Sequence, residues 1–201
     1  TKGELYDFLR KKEGSTVFIH HDNAYLMNIA GGLNLIPYGT EDDLYVNGRI
    51  TGNSPYLTFE WKAGKDGETY QVQTQLIGEY NFPNALAAIT IGRFFGVKDA
   101  KINEALAGYT PQNNRSQLKK TDDNTLIIDA YNANPTSMMA ALQNFRNMEV
   151  PHKMLILGDM RELGAESATE HQKIADYLKE CTFEKVWLVG DQFAAAEHSF
   201  Q

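Results

Sequence analysis

The pattern of hydrophobic and polar positions along the chain changes near residue 110. In the first part, apolar residues at helical spacing predict a helix over residues 4–10, with Leu5, Phe8 and Leu9 on one face. A short apolar run at residues 16–20 predicts a buried strand. The chain therefore begins as a mixture of helix and strand.

The residues that follow combine a short helix with the alternation typical of β-strands. A helix is predicted around Ala24–Ala30, where a pair of glycines ends it. The dipeptide Asn47-Gly48 predicts a turn. Residues 56–61 and 69–76 alternate on either side of a turn at residues 64–67, which predicts a β-hairpin.

Helical spacing returns before the middle of the chain. Two apolar helices are predicted, over residues 84–96 and 99–109. Pro111, Asn113 and Asn114 then mark a linker. We therefore expect two domains with a boundary near residue 111.

The second part has the order of an α/β domain with a parallel sheet. Three strand–loop–helix units follow one another, with the apolar strand segments LII, MLIL and VWLV. Continuous apolar runs of this kind predict strands covered on both faces. Helix starts are predicted at Asn134-Pro135 and at the capping-box pattern Ser167–Glu170.

Composition and charge narrow the class of protein. A formal net charge of −7 disfavours general nucleic-acid binding, because phosphate backbones need a basic surface. Cys181 is the single cysteine, which predicts a reducing, cytoplasmic environment. No apolar run has the length needed to cross a membrane, and no signal peptide is present. The chain starts within a helical pattern and carries few α/β units, so we expect part of a longer protein with an incomplete last domain.

Acidic residues lie at the carboxyl ends of the three later strands, where open parallel sheets bind ligands. A carboxylate there can bind a ribose hydroxyl, hold Mg²⁺ through water, or cap the next helix. Capping is the better interpretation for Asp191, and Asp159 is open. Asp129 is the best candidate for a ligand contact, since the loop DAYNANP crowds polar side chains beside it.

Asparagines and one arginine complete the candidate binding residues. Asn132 and Asn134 can read a ligand with their amides, although a turn and an N-cap explain them as well. Asn81 and Asn84 lie at a helix start, where one of them is expected to be a cap. Arg115 follows the linker and can clamp a phosphate, but the sequence by itself favours a solvated linker charge.

Other features are interpreted as structural or are missing. His171 lies on the apolar face of a helix, which favours a packed residue over a ligand or base. The sequence contains no G-x-x-x-x-G-K-S/T phosphate loop, no G-x-S-x-G, no C-x-x-C and no H-E-x-x-H.

Three segments resemble the Mur ligases: GEYNFPNALAAITIGRFFGV, IIDAYNANPTSMMAAL and LILGDMRELGAESATEH. The match covers most of residues 78–171, and the opening TKGEL is also similar to the central domain of that family. The patterns D-x-YNANP-x-SM and GDM-x-ELG-x-x-S are most similar to members that join D-alanyl-D-alanine to UDP-N-acetylmuramoyl-tripeptide. The resemblance implies these two molecules as partners.

The resemblance also implies an activity. Members of the family are cytoplasmic, ATP- and Mg²⁺-dependent ligases of peptidoglycan synthesis, a process of cell division and cell shape. They convert a precursor carboxylate into an acyl phosphate, which an amine attacks, so catalysis is mainly positioning and charge neutralisation. By the same resemblance we expect a monomer.

The family's nucleotide contacts can be carried over residue by residue. The resemblance implies that Asn81 and Asn84 contact adenine and that Asp129 holds the ribose. It implies that Arg115 approaches the phosphates when the last domain closes. One departure is Glu79-Tyr80, where the family often has Arg-His.

Further roles concern the second substrate and a metal ion. The resemblance implies that Asn132 and Asn134 lie near the nucleotide and the incoming dipeptide. Lys2 matches a lysine that the family carbamylates, which turns it into a carboxylate-like ligand for Mg²⁺. Since the phosphate loop and the precursor-binding domain are absent from these residues, we expect that the chain alone does not turn over ATP.

The combined expectation is an α/β chain. Residues 1–111 are interpreted as the C-terminal part of a P-loop-type central ATPase domain with a β-hairpin, and residues 112–201 as an incomplete Rossmann-like parallel α/β domain. Two alternatives stay open: another ligase of the Mur or folylpolyglutamate type, and a nucleotide-binding module without catalysis. The loop Asn132–Ser137 favours the D-alanyl-D-alanine members over the first alternative.

Overall fold

The computed structural model describes residues 2–112 and 114–196 of the chain. The chain divides into two compact units, Thr1–Thr110 and Pro111–Gln201. Of the linker residues named above, Asn113 lies outside the described residues. Within the described ranges, no helix combines the length and the hydrophobicity needed to cross a bilayer.

The first unit contains one mixed sheet and four helices among its described residues. Its helices are α1 (Lys2–Arg10), α2 (Ala24–Ile29), α3 (Phe82–Phe94) and α4 (Asp99–Gly108). Its strands are β1 (Thr16–His20), β2 (Asn34–Gly39), β3 (Val46–Asn53), β4 (Leu57–Lys62) and β5 (Tyr70–Gln73).

The second unit alternates strands and helices. Its strands are β6 (Gln117–Lys120), β7 (Thr125–Ile128), β8 (Met154–Gly158) and β9 (Lys185–Val189). Its helices are α5 (Pro135–Asn147), α6 (Ser167–Lys179) and α7 (Asp191–Ala195).

The sheet of the first unit has the order β1-β2-β3-β4-β5. Strands β1, β2 and β3 are parallel, whereas β3, β4 and β5 are antiparallel neighbours. The hairpin predicted around residues 64–67 is confirmed as the β4–β5 pair, with Phe59 opposite Val72.

The main core of the first unit lies between this sheet and α3. Strand β4 points every second side chain inward, so Leu57, Phe59 and Trp61 are buried. Leu86 and Ile89 of α3 belong to the same core cluster. Burial of large side chains of this kind contributes roughly 1.5–3 kcal/mol each, which holds α3 and its N-terminus against the sheet.

The turn predicted at Asn47-Gly48 is wrong, because both residues lie inside β3. The buried Asn47 amide donates to the carbonyl oxygens of Asp42 (2.8 Å) and Gly64 (3.0 Å). Gly48 faces the β4 backbone so closely that an added Cβ would lie 2.5 Å from the Glu60 carbonyl oxygen. The dipeptide therefore serves packing and loop anchoring instead of a chain reversal.

The buried face of α1 also differs from the prediction. Leu5 and Phe8 are 55% and 62% exposed, while Tyr6 is buried with Val17 and Ile19. Two overlapping sets of apolar residues fit one helix at this spacing, and contact with β1 selects the set that contains Tyr6.

The sheet of the second unit is only partly as predicted. Strands β8 and β9 are parallel, which confirms the α/β interpretation. Strand β7 instead pairs antiparallel with β6, a strand that the sequence pattern did not predict. The polar sequence of β6, QLKK, lacks the apolar run that revealed the other strands.

The prediction that these strands are covered on both faces is wrong for the described residues. One face of the β8–β9 pair packs on the core of α5, α6 and α7, which includes Leu142, Ile174 and Phe193. The opposite face leaves Ile156 73% and Val189 54% exposed, together with Met154 and Trp187. We call this surface, formed by Met154, Ile156, Trp187 and Val189, the open apolar face.

The predicted capping box at Ser167 does not form. Glu166 is in the N-cap position of α6 and makes no side-chain capping hydrogen bond. The Ser167 hydroxyl donates to the Gln192 side-chain oxygen at 2.8 Å. A single turn of 3₁₀ helix at Gly164–Glu166 leads into α6 and replaces the extended N-cap that a capping box requires.

We expect Gly48→Ala to lower the free energy of unfolding of the first unit by roughly 1–3 kcal/mol, because the new methyl group overlaps backbone atoms of β4. Urea unfolding followed by the fluorescence of Trp61, in a Trp187→Phe background, measures this change. Gly31→Ala is the matched control, since nothing lies within 4 Å of a Cβ at that position. Equal stability of the two variants would show that the β3–β4 approach is not a constraint.

Candidate functional site

The carboxyl end of β7 carries the candidate Asp129. Its carboxylate accepts a hydrogen bond from the Ser116 backbone N–H at 3.3 Å and a longer one from the Ser116 hydroxyl at 3.5 Å. Ser116 is buried, whereas Asp129 is exposed. The carboxylate is thus held by the segment that leads into β6 and remains accessible to solvent.

The segment before β6 has an unusual backbone. Asn114 and Ser116 have positive φ values of 57° and 45°, which non-glycine residues rarely adopt. The Asn114 carbonyl oxygen accepts a hydrogen bond from the Ala130 backbone N–H at 2.8 Å. Strained backbone of this kind persists only where surrounding contacts impose it, and it is frequent at functional sites.

Arg115 lies between those two residues and is exposed, with its side chain over an aromatic ring. Its guanidinium carbon is 3.8 Å from the centroid of the Tyr131 ring. Tyr131 belongs to the loop that follows Asp129. The structure therefore brings together the two candidates Arg115 and Asp129, through Ser116 on one side and Tyr131 on the other.

The two asparagines of the same loop differ. The Asn134 side-chain oxygen accepts from the Ser137 backbone N–H at 3.0 Å, so the predicted N-cap of α5 is confirmed. The Asn134 side-chain NH₂ group makes no hydrogen bond with the described residues and can still meet a ligand. Asn132 is exposed, and its side chain is likewise without a hydrogen bond among those residues.

In the first unit, Asn81 and Asn84 lie one turn apart at the start of α3. The expectation that one of them caps the helix is not met by Asn81: it occupies the N-cap position but makes no side-chain capping bond. Its NH₂ group donates to the Ile77 carbonyl oxygen at 2.8 Å. Asn84 is exposed. Fixing the NH₂ group orients the Asn81 amide and leaves its oxygen to accept from a ligand.

Lys2 is an exposed residue at the beginning of α1. Within residues 2–112 and 114–196, no group of three or more His, Cys, Asp or Glu side chains is arranged to hold a metal ion. Mg²⁺ requires near-octahedral oxygen ligands, and one carbamylated lysine would supply at most two of them. These residues therefore do not form a Mg²⁺ site by themselves.

Asp159, the residue after β8, has a structural role. Its two carboxylate oxygens accept from the backbone N–H groups of Gln192 (3.1 Å) and Phe193 (3.0 Å). The cap of α7 is therefore Asp159, and the prediction that Asp191 provides it is wrong. Gly190 has a φ of 122°, and a Cβ there would lie 2.2 Å from the Asp159 carboxylate.

His171 is fully buried, as its position on an apolar face predicted. Its Nε2 accepts from the Met160 backbone N–H at 3.0 Å, and its Nδ1 lies 2.7 Å from the Ser167 carbonyl oxygen. Both ring nitrogens therefore have backbone partners inside the core. The imidazole packs edge-on against Phe193 at 4.7 Å and so ties the loop after β8 to α6 and α7.

Two sequence profiles match this chain. The profile of the Mur ligase middle domain matches residues 1–92, and that of the Mur ligase glutamate ligase domain matches residues 114–200. The chain belongs to the Mur ligase family. Each profile falls within one of the two compact units of this Mur ligase chain.

Curated Mur ligases show the same relationship over part of their length. UDP-N-acetylmuramoyl-tripeptide–D-alanyl-D-alanine ligase of Bacillus subtilis is 39% identical over 117 residues, which cover 57% of this chain and 26% of that protein. The ligase of the same name from Escherichia coli is 28% identical over 199 residues, or 95% of this chain and 42% of that protein. The chain thus spans less than half the length of these relatives.

Solved structures show the same fold. The crystal structure of MurF from Acinetobacter baumannii has a TM-score of 0.80 at 24% identity, covering 96% of this chain and 42% of that one. MurF ligase from Thermotoga maritima, in complex with ADP, has a TM-score of 0.76 at 18% identity, covering 93% and 43%. At these identities the likeness establishes the α/β fold with parallel strands.

Sequence reasoning missed Tyr131 and Ser116 as parts of the site. Tyr131 lies in the same loop as Asp129, but its partner Arg115 lies on a different segment. A pairing between two loops leaves no periodic pattern in a sequence. The polar crowding of DAYNANP was the signal available in the sequence, and it indicated the loop without its partner.

We expect His171→Leu to lower the free energy of unfolding of the second unit by roughly 2–4 kcal/mol, because the Met160 N–H loses its buried acceptor and the packing changes. Amide hydrogen exchange of Ile174 and Leu178 measures this change. His152→Leu is the control: the His152 side chain is 80% exposed in a surface pair with Glu184, so its loss should cost under about 1 kcal/mol. Equal exchange rates in both variants would contradict the role given to His171.

Proposed function

We propose that this chain is part of a ligase that uses ATP to join D-alanyl-D-alanine to UDP-N-acetylmuramoyl-tripeptide. In that ligase, the chain supplies side chains that bind the nucleotide. The observation that carries the proposal is the Arg115–Tyr131–Asp129 arrangement in a chain of this family. It presents a cation and a carboxylate on one exposed surface, as a nucleotide with phosphates and a ribose requires. The names of the relatives support the choice of substrates.

Both units carry side chains that are suited to contacts with a nucleotide, and each unit is taken by itself. The first unit, as the C-terminal part of a central ATPase domain, offers the amides of Asn81 and Asn84 to the adenine edge. The second unit, as the C-terminal domain, offers Asp129 to the ribose hydroxyls and Arg115 to the phosphates. The Asn81 amide supports its role, since its hydrogen bond to Ile77 fixes the orientation of the amide oxygen.

The loop Asn132–Ser137 is proposed to meet the incoming dipeptide. Asn132 and the NH₂ group of Asn134 can bind its carboxylate or amide, because both side chains are exposed. Capping α5 is compatible with that role, since the cap uses only the oxygen of Asn134. The cap also places the loop rigidly at the start of a 13-residue helix.

ATP, when bound, supplies the phosphoryl group that makes the acceptor carboxylate reactive towards an amine. The residues of this chain contribute positioning and charge: Arg115 stabilises negative charge on the phosphates, and Asp129 sets the orientation of the nucleotide. We propose that Lys2, once carbamylated, gives one oxygen ligand to Mg²⁺, with the remaining ligands outside these residues.

The proposed setting is the cytoplasm, where both substrates of peptidoglycan precursor synthesis are used, and the proposed state is a monomer. The net charge of −7 and the absence of a spanning helix among the described residues support a protein that works away from nucleic acid and the bilayer.

We expect that the 201-residue chain alone releases no ADP or phosphate from ATP above the enzyme-free rate, with both substrates present. The reason is that its sequence has no G-x-x-x-x-G-K-S/T loop to hold the β- and γ-phosphates. A coupled phosphate-release assay measures this. Turnover that survives repeated purification and disappears in Arg115→Ala would contradict the expectation and give these residues a complete active site.

In the whole ligase, we expect Asp129→Ala to raise the KM for ATP by about 10- to 100-fold, which is the loss of hydrogen bonds to a charged acceptor. Steady-state kinetics with ATP as the varied substrate measure the effect. Asp123→Ala is the matched control, because Asp123 is an exposed carboxylate in the turn between β6 and β7, at the opposite end of β7 from Asp129. Equal KM values for both variants would remove Asp129 from the proposed site.

A further inference from the structure

The contact between Arg115 and Tyr131 differs from the other cation–aromatic pairs among the described residues. Its guanidinium carbon lies 3.8 Å from the ring centroid, well inside the range of about 6 Å over which the face of a ring attracts a cation. The other pairs have separations of 5.4–6.0 Å. A contact this close requires the two loops to hold both side chains in fixed positions.

Hydrophobic burial does not explain the position of Tyr131. Its side chain is 60% exposed, and it belongs to neither the main core of the second unit nor the residues packed against that core. The described contact of its ring is with Arg115, which is exposed as well. Arg115 itself lies between two residues with strained backbone. The position of Tyr131 is therefore explained by its contact with Arg115.

We propose that Tyr131 is a positioning residue, whose ring holds the Arg115 guanidinium open for the phosphates of a nucleotide and apart from the Asp129 carboxylate. This inference rests on the proposed function of Arg115 and Asp129. It adds a residue to which no nucleotide contact has been assigned above.

The chemistry of stacking supports this role. A guanidinium that stacks through its flat face keeps its five N–H donors in the plane of the group, where they can form bidentate bonds with phosphate oxygens. A carboxylate partner would occupy those same donors. Arg115 forms no ion pair with the described residues, although Asp129 is fixed to the adjacent Ser116. The ring thus orients the cation without consuming its hydrogen-bonding capacity.

The backbone makes this arrangement rigid. The Asn114 carbonyl oxygen accepts from Ala130, and the Ser116 N–H donates to Asp129, so both neighbours of Arg115 are tied to the loop of Tyr131. A side chain held at both ends of its backbone loses less entropy on binding a phosphate than one on a free linker.

The first arm of the test uses the 201-residue chain and NMR. Ring currents of Tyr131 should shift the Arg115 side-chain proton signals upfield, and Tyr131→Leu should remove that shift while Tyr131→Phe retains it. Tyr25→Leu is the matched control, because Tyr25 is 58% exposed and lies in the first unit. Arg115 signals at unshifted positions in the unaltered chain would overturn the proposal at once.

The second arm uses the whole ligase and steady-state kinetics with ATP. Tyr131→Leu should lower kcat/KM for ATP about two- to five-fold, as loss of an exposed cation–aromatic contact predicts, and Tyr131→Phe should restore it. Tyr25→Leu should leave the kinetics unchanged. The KM for D-alanyl-D-alanine should stay constant in Tyr131→Leu, which a general loosening of the loop would not allow.

Arg115→Ala separates the two hypotheses. If Arg115→Ala lowers kcat/KM for ATP but Tyr131→Leu does not, the positioning role is wrong and the proposed function stands. If neither Arg115→Ala nor Asp129→Ala changes the ATP kinetics, the proposed function is wrong together with the role of Tyr131.

Discussion

Hydrogen bonds from backbone N–H groups to carboxylates at strand ends hold the loops of the second unit in place. Asp129 accepts from Ser116, and Asp159 accepts from Gln192 and Phe193. Each bond joins the end of one strand to a segment distant in sequence. The loops after β7 and β8 therefore each depend on an acidic side chain, and everything proposed for nucleotide binding builds on the first of them.

The two carboxylates nevertheless have different uses. Asp159 accepts hydrogen bonds from α7 with both carboxylate oxygens, and one of these oxygens lies 3.7 Å from Nε2 of the buried His171. Its role is therefore structural. Asp129 is held by one residue, remains exposed and stands in the same loop as the ring that stacks on Arg115. The two carboxylates that follow β7 and β8 thus differ in how many internal N–H groups they accept from, and the one that is less committed to the structure is the one proposed to bind a ligand.

Local patterns predicted the elements whose cause is local. The β4–β5 hairpin, α3 and the cap at Asn134 follow from alternation, apolar spacing and N-cap chemistry within a few residues. The errors arose where a distant partner decides: the close approach of β4 places Gly48 in a strand, and contact with β1 chooses the buried face of α1. The candidate site divides in the same way, since Asp129 was visible in its loop while the Arg115–Tyr131 stack depends on two segments meeting.

The open apolar face of β8 and β9 has a thermodynamic consequence. Ile156, Trp187 and Val189 expose hydrocarbon and aromatic surface to water on one face of the β8–β9 pair. Any association through it would remove apolar surface from water and carry a negative heat-capacity change. Self-association of the chain through this face would strengthen on warming and weaken on cooling. The fraction of associated chain would therefore depend on the temperature at which the protein is kept.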